Sequence, residues 1–554
     1  MSAGDGGNVG PGRIGRRTVL VAGIGAGISL GVSGIARSAA PTARAGDPPS
    51  GNPSDTDPVV VTTHGPVRGL RDRGVQVFRG VRYGADTGPV RFRAPLPPRP
   101  WTDVADATAF GPACPQRGLR DAVSEDCLFL NVWTPGAEAG ARRPVIVYIH
   151  GGAYASGSGA DPLTDGARLA AAGDVVVVTV NHRLNAFGYA YLARLSPRFP
   201  DSGNAGMLDL VLALRWVRAN IAAFGGDPAC VTLVGQSGGG AKIATLMGMP
   251  TAAGLFHRAV TMSGQQVTAS GPLNATARAR TFLDALSIPP DRVEGLLDLP
   301  AARLVEGLAA TDPILGGGLY FGPVLDQQSL VRQPFWPDAN PLSAHIPMIL
   351  GNTRDETRGF VRKTDDPLFS LTWEDLPARL AEGMRVDILP EHVAAIYRRL
   401  YPTLSPADIY FAATTAGRSW RGQVIEAELR AAADSPTWVY QLDYRSPVDG
   451  GRWGAYHSGD IPLLFGTQDA PTSRSGTGPA AQAAGAVLQS VILAFARSGD
   501  PAVPGLPAWP QYRTEREGGT RATLIVDATP TIAQDPRGDE RRLFAAVPYI
   551  QPGT

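Results

Sequence analysis

Short runs of consecutive apolar residues recur along the chain and alternate with longer stretches of helical periodicity. Uninterrupted apolar runs rich in Val, Ile and Leu are typical of strands that are buried on both faces. The clearest predicted strands are Val145–Ile149, Val175–Val180, Val231–Val234, Ala259–Met262, Pro347–Leu350 and Val439–Leu442. The stretches Leu208–Ala222 and Gly240–Met247 have the periodicity of helices. This alternation predicts an α/β fold with a large, mainly parallel central sheet covered by helices on both faces.

No internal repeat or low-complexity linker follows residue 58, so residues 59–554 are predicted to form a single domain. A hydrophobic content of 44% with 18% charged residues is ordinary for a folded protein. Lys and Arg number 51 and Asp and Glu 50, and no basic block stands out. The balance argues against a nucleic-acid partner.

The N-terminal segment has the pattern of an export signal. Arg13, Arg16 and Arg17 precede an apolar, Gly-rich stretch that ends near Ala36, and the small-residue triplet Ala43-Arg44-Ala45 follows. The arginine pair resembles a twin-arginine signal, so residues 1–45 are predicted to be a removed signal and the protein to be secreted. A retained membrane anchor is the alternative, because the apolar run nearly reaches spanning length. Residues 46–58 are rich in Gly, Pro, Ser and Asp and are predicted to be a disordered lead-in, and no stable membrane partner is expected after signal removal.

The predicted strand Val231–Val234 leads into Gly235-Gln236-Ser237-Gly238-Gly239, a G-x-S-x-G sequence, and then into a predicted helix. A sharp strand-to-helix turn flanked by glycines exposes a serine hydroxyl above a sheet. A Gly/Ser turn without chemical importance is the alternative. The strand and helix on either side favour a nucleophilic Ser237.

A second glycine-rich loop, His150-Gly151-Gly152-Ala153, follows the predicted strand Val145–Ile149. Glycines let backbone N–H groups turn inward without obstruction by a Cβ. The N–H groups of Gly152 and Ala153, with that of Gly238, are predicted to form an oxyanion hole. His150 is expected to hydrogen-bond this loop and to have a structural role.

A nucleophilic serine needs a base, and the base needs an acid that fixes its orientation. Histidines after Ser237 are His257, His345, His392 and His457. His457 is favoured because it lies in a Gly- and Ser-rich loop after the last strong strand. The acid is expected after the strand Pro347–Leu350, where Asp355 and Glu356 are adjacent and residue chemistry does not separate them.

These motifs occur in an order that resembles the type-B carboxylesterase family, which includes bacterial p-nitrobenzyl esterases and cholinesterases. Further matching segments are Ser124–Val132, Asn181–Leu184, Gly203–Gly206, Phe224–Pro228, Gly351–Glu356, Gly454–Gly466 and Phe495–Pro501. The resemblance implies an α/β-hydrolase fold and a serine carboxylic-ester hydrolase that works through an acyl-enzyme. It implies a small-molecule ester as substrate, no metal and no cofactor. It also selects Glu356 as the acid, although Thr357 stands where the family usually has glycine.

The resemblance further implies a disulfide between Cys114 and Cys127 and a structural ion pair between Arg91 and Glu125. Cys230 is expected to be a small core residue. Two rival functions remain open: a non-catalytic adhesion or precursor protein, and a lipase acting on aggregated long-chain esters. The first is disfavoured because all three triad positions are filled.

Two segments bear on the substrate. The family commonly has glutamate before the nucleophile, and Gln236 removes that charge while keeping its shape. Neutral esters are therefore expected to be hydrolysed well, and choline esters to gain nothing over uncharged esters of the same shape. In cholinesterases, which the chain resembles, aromatic residues in the stretch that matches Ile314–Pro323 restrict the acyl group. Here that stretch has three consecutive glycines, Gly316–Gly318, and no aromatic residue in its first half, so tolerance of acyl chains longer than acetyl is expected.

Overall fold

The computed structural model describes residues 57–119, 121–551 and 553. The proposed export signal and nearly all of the proposed lead-in lie outside the described residues. The strands are β1 (Val59–Val61), β2 (Pro66–Arg68), β3 (Leu70–Asp72), β4 (Val75–Arg82), β5 (Ala105–Asp106), β6 (Phe129–Thr134), β7 (Arg143–Ile149), β8 (Val176–Val180), β9 (Gly226–Gln236), β10 (Arg258–Met262), β11 (Met348–Thr353), β12 (Thr437–Leu442), β13 (Ala522–Val526) and β14 (Thr531–Gln534).

Helices connect and cover these strands. They are α1 (Ala167–Gly173), α2 (Asn185–Tyr189), α3 (Ala205–Asn220), α4 (Gly238–Leu246), α5 (Pro272–Ala285), α6 (Ala301–Gly307), α7 (Leu376–Gly383), α8 (Pro390–Leu400), α9 (Pro406–Thr415), α10 (Arg421–Ala432), α11 (Asp460–Phe465), α12 (Pro479–Ser498) and α13 (Gly538–Ala545). A short π-helix, Ala416–Trp420, joins α9 to α10.

Eleven strands form the main sheet, in the order β14-β13-β12-β11-β10-β9-β7-β8-β6-β4-β3. The seven strands from β13 to β8 are mutually parallel. Antiparallel strands extend this block at both ends, β14 at one and β6, β4 and β3 at the other. The mainly parallel sheet of an α/β-hydrolase fold is thereby confirmed. Strands β1, β2 and β5 form a separate small sheet.

Both faces of the parallel block are buried. Every residue of β8 is buried, which explains its uninterrupted apolar sequence. Helix α12 packs with α11 on one face, and α3 and α4 cover the other. Among the described helices only α12 is long and apolar enough to span a membrane, and about half of that stretch is buried in the protein.

The six predicted strands and both predicted helices are present, with shifted ends. Strand β9 begins at Gly226, five residues before the predicted start. The sequence did not indicate its first half, because that half contains Asp227 and Pro228 and carries no apolar run. In an open parallel sheet, functional groups gather at the carboxyl ends of the strands. Here the loops that follow β9, β11 and β12 carry Ser237, Glu356 and His457.

Candidate active site

The turn between β9 and α4 places Ser237 in a strained backbone conformation. Its φ is 55° and its ψ −125°, a combination that non-glycine residues rarely adopt. The Ser237 N–H donates to the Met262 carbonyl at 2.7 Å, which fixes the turn to the next strand. A Cβ on Gly235 would lie 2.5 Å from the carbonyl carbon of Gly239, so the turn is too tight for a side chain there. The serine hydroxyl is left partly exposed at the end of the sheet.

The loop after β7 lies directly against this turn. A Cβ on Gly238 would lie 2.1 Å from the carbonyl oxygen of Ala153, so the two backbones are in close contact. Gly152 and Ala153 have φ values of 81° and 53°, which turns their peptide groups away from the strand direction. Within the described chain, the N–H groups of Gly152, Ala153 and Gly238 donate no hydrogen bond. They are available as donors to an oxyanion.

Lys242 lies behind this loop and is completely buried. Its Nζ donates to the Ala153 carbonyl at 2.7 Å and to the His150 carbonyl at 3.2 Å, and lies 5.3 Å from the centre of the Tyr154 ring. Burial lowers the pKa of Lys242 to about 7. Lys242 was not among the site residues predicted from the sequence. The available signal was a lysine, one of two in the chain, on a helix whose other residues are small or apolar.

His150 contacts the same loop. Its Nδ1 lies 2.9 Å from the Gly151 carbonyl, and its ring stacks on His182 with 4.7 Å between ring centres. Burial, and then the charge of Lys242, lower the pKa of His150 to about 3. His150 is therefore a neutral side chain that supports the loop, which agrees with the structural role expected from the sequence.

Glu356 is fully buried, and its carboxylate bonds the Nδ1 of His457 through Oε2. Its other oxygen accepts from the Asn352 amide at 2.9 Å and from the Thr353 N–H at 2.8 Å. Burial acts to raise the pKa of Glu356, but the imidazole of His457 and the hydrogen bond from the Thr353 N–H outweigh it, and the pKa is lowered. The carboxylate stays ionised and holds the Nδ1–H tautomer of the imidazole.

The neighbouring Asp355 faces the loop and not the imidazole. Its Oδ2 accepts from the Ala455 N–H at 3.0 Å, and Arg445 lies 3.6 Å away. Asp355 therefore ties the loop after β11 to the loop that carries His457. The structure separates two carboxylates that residue chemistry left equivalent.

On its other side, the imidazole faces the end of β9. The Nε2 of His457 lies 3.2 Å from the side-chain nitrogen of Gln236, whose amide donates to the neutral ring. The ring of Phe360 lies 4.8 Å from the imidazole, centre to centre. His257 instead accepts from the Val231 N–H, far from this end of the strand.

The expected ion pair is present. Arg91 donates to both carboxylate oxygens of Glu125, with 2.7 Å between Nε and Oε2. It also donates to the carbonyls of Leu296 and Leu299 at 2.7 and 2.8 Å. Arg91 and Glu125 therefore connect distant loops and do not contact the imidazole or the nucleophile turn.

The expected disulfide is absent from the structure. Cys114 and Cys127 are buried neighbours, but both are free thiols. A hydrogen bond with Cys114, together with burial, raises the pKa of the Cys127 thiol well above its usual value. The Cys114 sulfur also accepts from the Leu184 N–H at 3.2 Å. Cys230 is half-buried, and its thiol donates to the Ala496 carbonyl at 3.3 Å.

No group of three or more His, Cys, Asp or Glu side chains in the described part of the chain is arranged to hold a metal ion.

Comparison with known proteins gives a single family. The model of the carboxylesterase family matches residues 56–535. The para-nitrobenzyl esterase of Bacillus subtilis is 35% identical over 88% of this chain and 98% of its own length. The phenmedipham hydrolase of Pseudarthrobacter oxydans is 34% identical over 87% of this chain and 97% of its own. The solved structure of the carboxylesterase EST55 of Geobacillus stearothermophilus superposes with a TM-score of 0.78 at 36% identity and covers 88% of this chain and 99% of its own. The chain therefore belongs to the carboxylesterase family and is a serine carboxylic-ester hydrolase with the α/β-hydrolase fold.

Proposed function

We propose that Ser237, His457 and Glu356 form the catalytic triad, with Gly152, Ala153 and Gly238 as the oxyanion hole. The observation that carries this assignment is the position of the His457 imidazole. Its Nδ1 is bonded to a buried carboxylate, and its Nε2 faces the side chain of Gln236, the residue next to Ser237.

The reaction follows from that position. His457 accepts the proton of the Ser237 hydroxyl at Nε2 while the serine oxygen attacks the ester carbonyl. The three backbone N–H groups receive the developing oxyanion, and a donor of this kind contributes about 3–4 kcal/mol. His457 then protonates the leaving alcohol, and water hydrolyses the acyl-enzyme by the same steps. Because one lone pair on Nε2 accepts one strong hydrogen bond, the serine hydroxyl must displace the Gln236 amide.

Replacement of single residues tests the triad. Ser237→Ala should abolish ester turnover and labelling by a fluorophosphonate probe, with an unchanged circular dichroism spectrum. Glu356→Gln should lower kcat by about 10⁴, because the wrong imidazole tautomer is then held. Asp355→Asn is the matched control and should lose far less, because its oxygen still accepts from the Ala455 N–H. Turnover by Ser237→Ala, or a greater loss in Asp355→Asn than in Glu356→Gln, would refute the assignment.

Small neutral esters are proposed to be hydrolysed well, and a positive charge on the alcohol portion is proposed to bring no gain. Gln236 brings no negative charge to the nucleophile, and the segment Ile314–Pro323 has three consecutive glycines and no aromatic residue in its first half. Acyl chains longer than acetyl should be accepted, and choline esters should gain nothing over uncharged esters of the same shape. A kinetic survey of p-nitrophenyl esters of increasing acyl length, with a choline ester and its uncharged counterpart, measures both. Strict acetyl selectivity or a preference for choline would contradict the proposal.

Export by the twin-arginine route and oxidation after export are proposed together. The motif Arg16-Arg17 and the neighbouring thiols of Cys114 and Cys127 support them. Replacement of both arginines by lysine should leave the protein inside a host that exports the unchanged chain. Peptide mass analysis of the exported protein should find the two cysteines joined. Export without the arginine pair, or free thiols in the exported protein, would contradict the respective half.

A further inference from the structure

Arg418 and the imidazole of His457 contact the same aromatic ring, that of Phe360. Arg418 lies in the short π-helix Ala416–Trp420, a type of helix irregularity that is frequent at functional sites. Its guanidinium carbon is 4.6 Å from the centre of the Phe360 ring. The Phe360 ring is in turn 4.8 Å from the imidazole, and its side chain is 43% exposed. Phe360 therefore contacts both the guanidinium and the imidazole, and part of it is open to solvent.

Arg418 forms no hydrogen bond and no ion pair within the described chain. Two fully enclosed arginines pair with carboxylates: Arg183 lies 2.6 Å from Asp209, and Arg278 lies 2.7 Å from Asp312. A guanidinium presents five donors and matches a carboxylate in bidentate geometry. The contact with Phe360 uses the face of the group and leaves its donors without a partner.

The charges around Arg418 do not neutralise it. Burial, and then the positive charge of Arg385, lower the pKa of Arg418 to about 10, so it remains charged at neutral pH. The carboxylate that acts on it is that of Glu356, which is already bonded to His457, and the Tyr410 hydroxyl is neutral at this pH. Arg418 therefore keeps its positive charge against the ring that contacts the imidazole.

The proposed role of His457 decides which portion of the ester lies next to the wall formed by Phe360 and Arg418. The imidazole delivers a proton to the leaving alcohol, so the wall next to it faces the alcohol portion of the substrate. We propose that Arg418 binds an anionic group, a carboxylate, in the alcohol portion of the ester, while Phe360 packs against the chain that joins this group to the ester oxygen. The substrates favoured by this site are acyl esters of hydroxy acids. This inference rests on the proposed triad.

Matched substrates test the proposal. Acetate esters of ω-hydroxyalkanoic acids of increasing length are compared with acetates of the corresponding plain alkanols, and acetate release is followed at constant pH. The wild type should show a higher ratio of kcat/KM for the anionic over the neutral ester, with a maximum at one chain length. Added salt should lower this ratio, because the pair is partly exposed.

The variants isolate the guanidinium. Arg418→Gln should lower the ratio about tenfold, chiefly through KM, which corresponds to about 1.4 kcal/mol. Arg418→Glu should bring the ratio below one. Arg398→Gln is the matched control, because Arg398 also lies over an aromatic ring, 4.3 Å from the centre of Trp373, on the separate helix α8. Its ratio should equal that of the wild type.

Several outcomes would overturn the inference. Equal ratios in wild type and Arg418→Gln would show that the guanidinium does not bind the anionic group of the substrate. A preference that survives Arg418→Gln and disappears in Arg385→Gln would assign the site to the other arginine. A charge preference restricted to monomethyl esters of dicarboxylic acids would place the anion on the acyl side. Hydrolysis of the neutral acetates, lost in Ser237→Ala, keeps the proposed mechanism separate from all of these results.

Discussion

Replacement of Lys242 by methionine should separate catalysis from stability. Methionine has nearly the same length and volume, but it cannot donate to the carbonyls of Ala153 and His150. Those carbonyls belong to the loop whose N–H groups are proposed to hold the oxyanion. Loss of the two bonds should let the loop rotate, so the donors no longer point at one position.

The effect on folding is expected to be small because two contributions oppose each other. The lowering of the Lys242 pKa from 10.5 to about 7 corresponds to about 5 kcal/mol, the upper limit of what methionine could recover at neutral pH. Leaving two buried carbonyls without a donor costs about 1–3 kcal/mol each. The free energy of unfolding should therefore change little at neutral pH. At higher pH the wild type gains stability relative to the variant. Between pH 7 and 10.5 unfolded Lys242 keeps a proton that folded Lys242 has lost, so the wild-type free energy of unfolding rises with pH. The methionine variant does not titrate there and lacks this rise.

Catalysis should lose much more. Loss of one oxyanion donor lowers kcat by about 10²–10³, and Lys242→Met should approach this with little change in KM. The assay is kcat and KM for p-nitrophenyl acetate, together with the Ki of a trifluoromethyl ketone, which forms the same oxyanion. Lys363→Met is the control, because Lys363 is the only other lysine and is exposed. A variant with wild-type kcat and wild-type Ki would refute the reasoning, and a variant that unfolds would show that the two stability contributions were weighed wrongly.

Three further outcomes are expected. Burial raises the pKa of Glu426 to about 8, and its Oε2 has no partner in the described chain. The folded carboxyl keeps a proton between pH 4.5 and 8 that the unfolded one loses, so Glu426→Gln should match the wild type near pH 4.5 and exceed its unfolding free energy at pH 8, by at most about 5 kcal/mol in denaturant titrations. Gln236→Glu should move the acid limb of the pH–rate profile to higher pH, since a carboxylate at Nε2 favours protonated His457, and should raise relative activity on cationic esters; an unmoved profile would contradict the contact. Arg91→Met should lower the unfolding free energy by about 3 kcal/mol, because Glu125 keeps a largely buried charge without its partner, and a normal denaturation curve would show the pair to be dispensable.

The parallel half of the sheet could be predicted from sequence because burial on both faces leaves an unbroken apolar run. The antiparallel strands could not. Strand β6 contains Asn131, whose side chain accepts from the Gly80 N–H at 2.9 Å and donates to the Thr179 hydroxyl at 2.9 Å. A polar residue satisfied by neighbouring strands interrupts the pattern that marks a strand, and its partners are invisible until the strands are paired.

The residues of the site also divide into those that the sequence reveals and those whose role depends on distant partners. The turn around Ser237 and the loop around Gly152 are local, so glycines adjacent in sequence reveal them. The importance of Lys242 depends on two carbonyls about ninety residues away, and that of Arg418 on a ring nearly sixty residues away. The residues adjacent in sequence do not reveal either contact, although the rarity of lysine and the small or apolar neighbours of Lys242 distinguish it from a surface charge.

The charges of the site also account for the substrates it should favour. The negative charge next to the imidazole belongs to Glu356, and the bond to Nδ1 and two further hydrogen bonds occupy it. Gln236, next to the nucleophile, is neutral, while Lys242 lies behind the oxyanion loop and Arg418 lies against Phe360. At about pH 7 and below, where Lys242 keeps its proton, the remaining field is therefore positive on both sides of the nucleophile. Such a field stabilises the oxyanion, attracts an anionic leaving group and disfavours a cationic one, so one arrangement of charges would raise the rate and select the substrate.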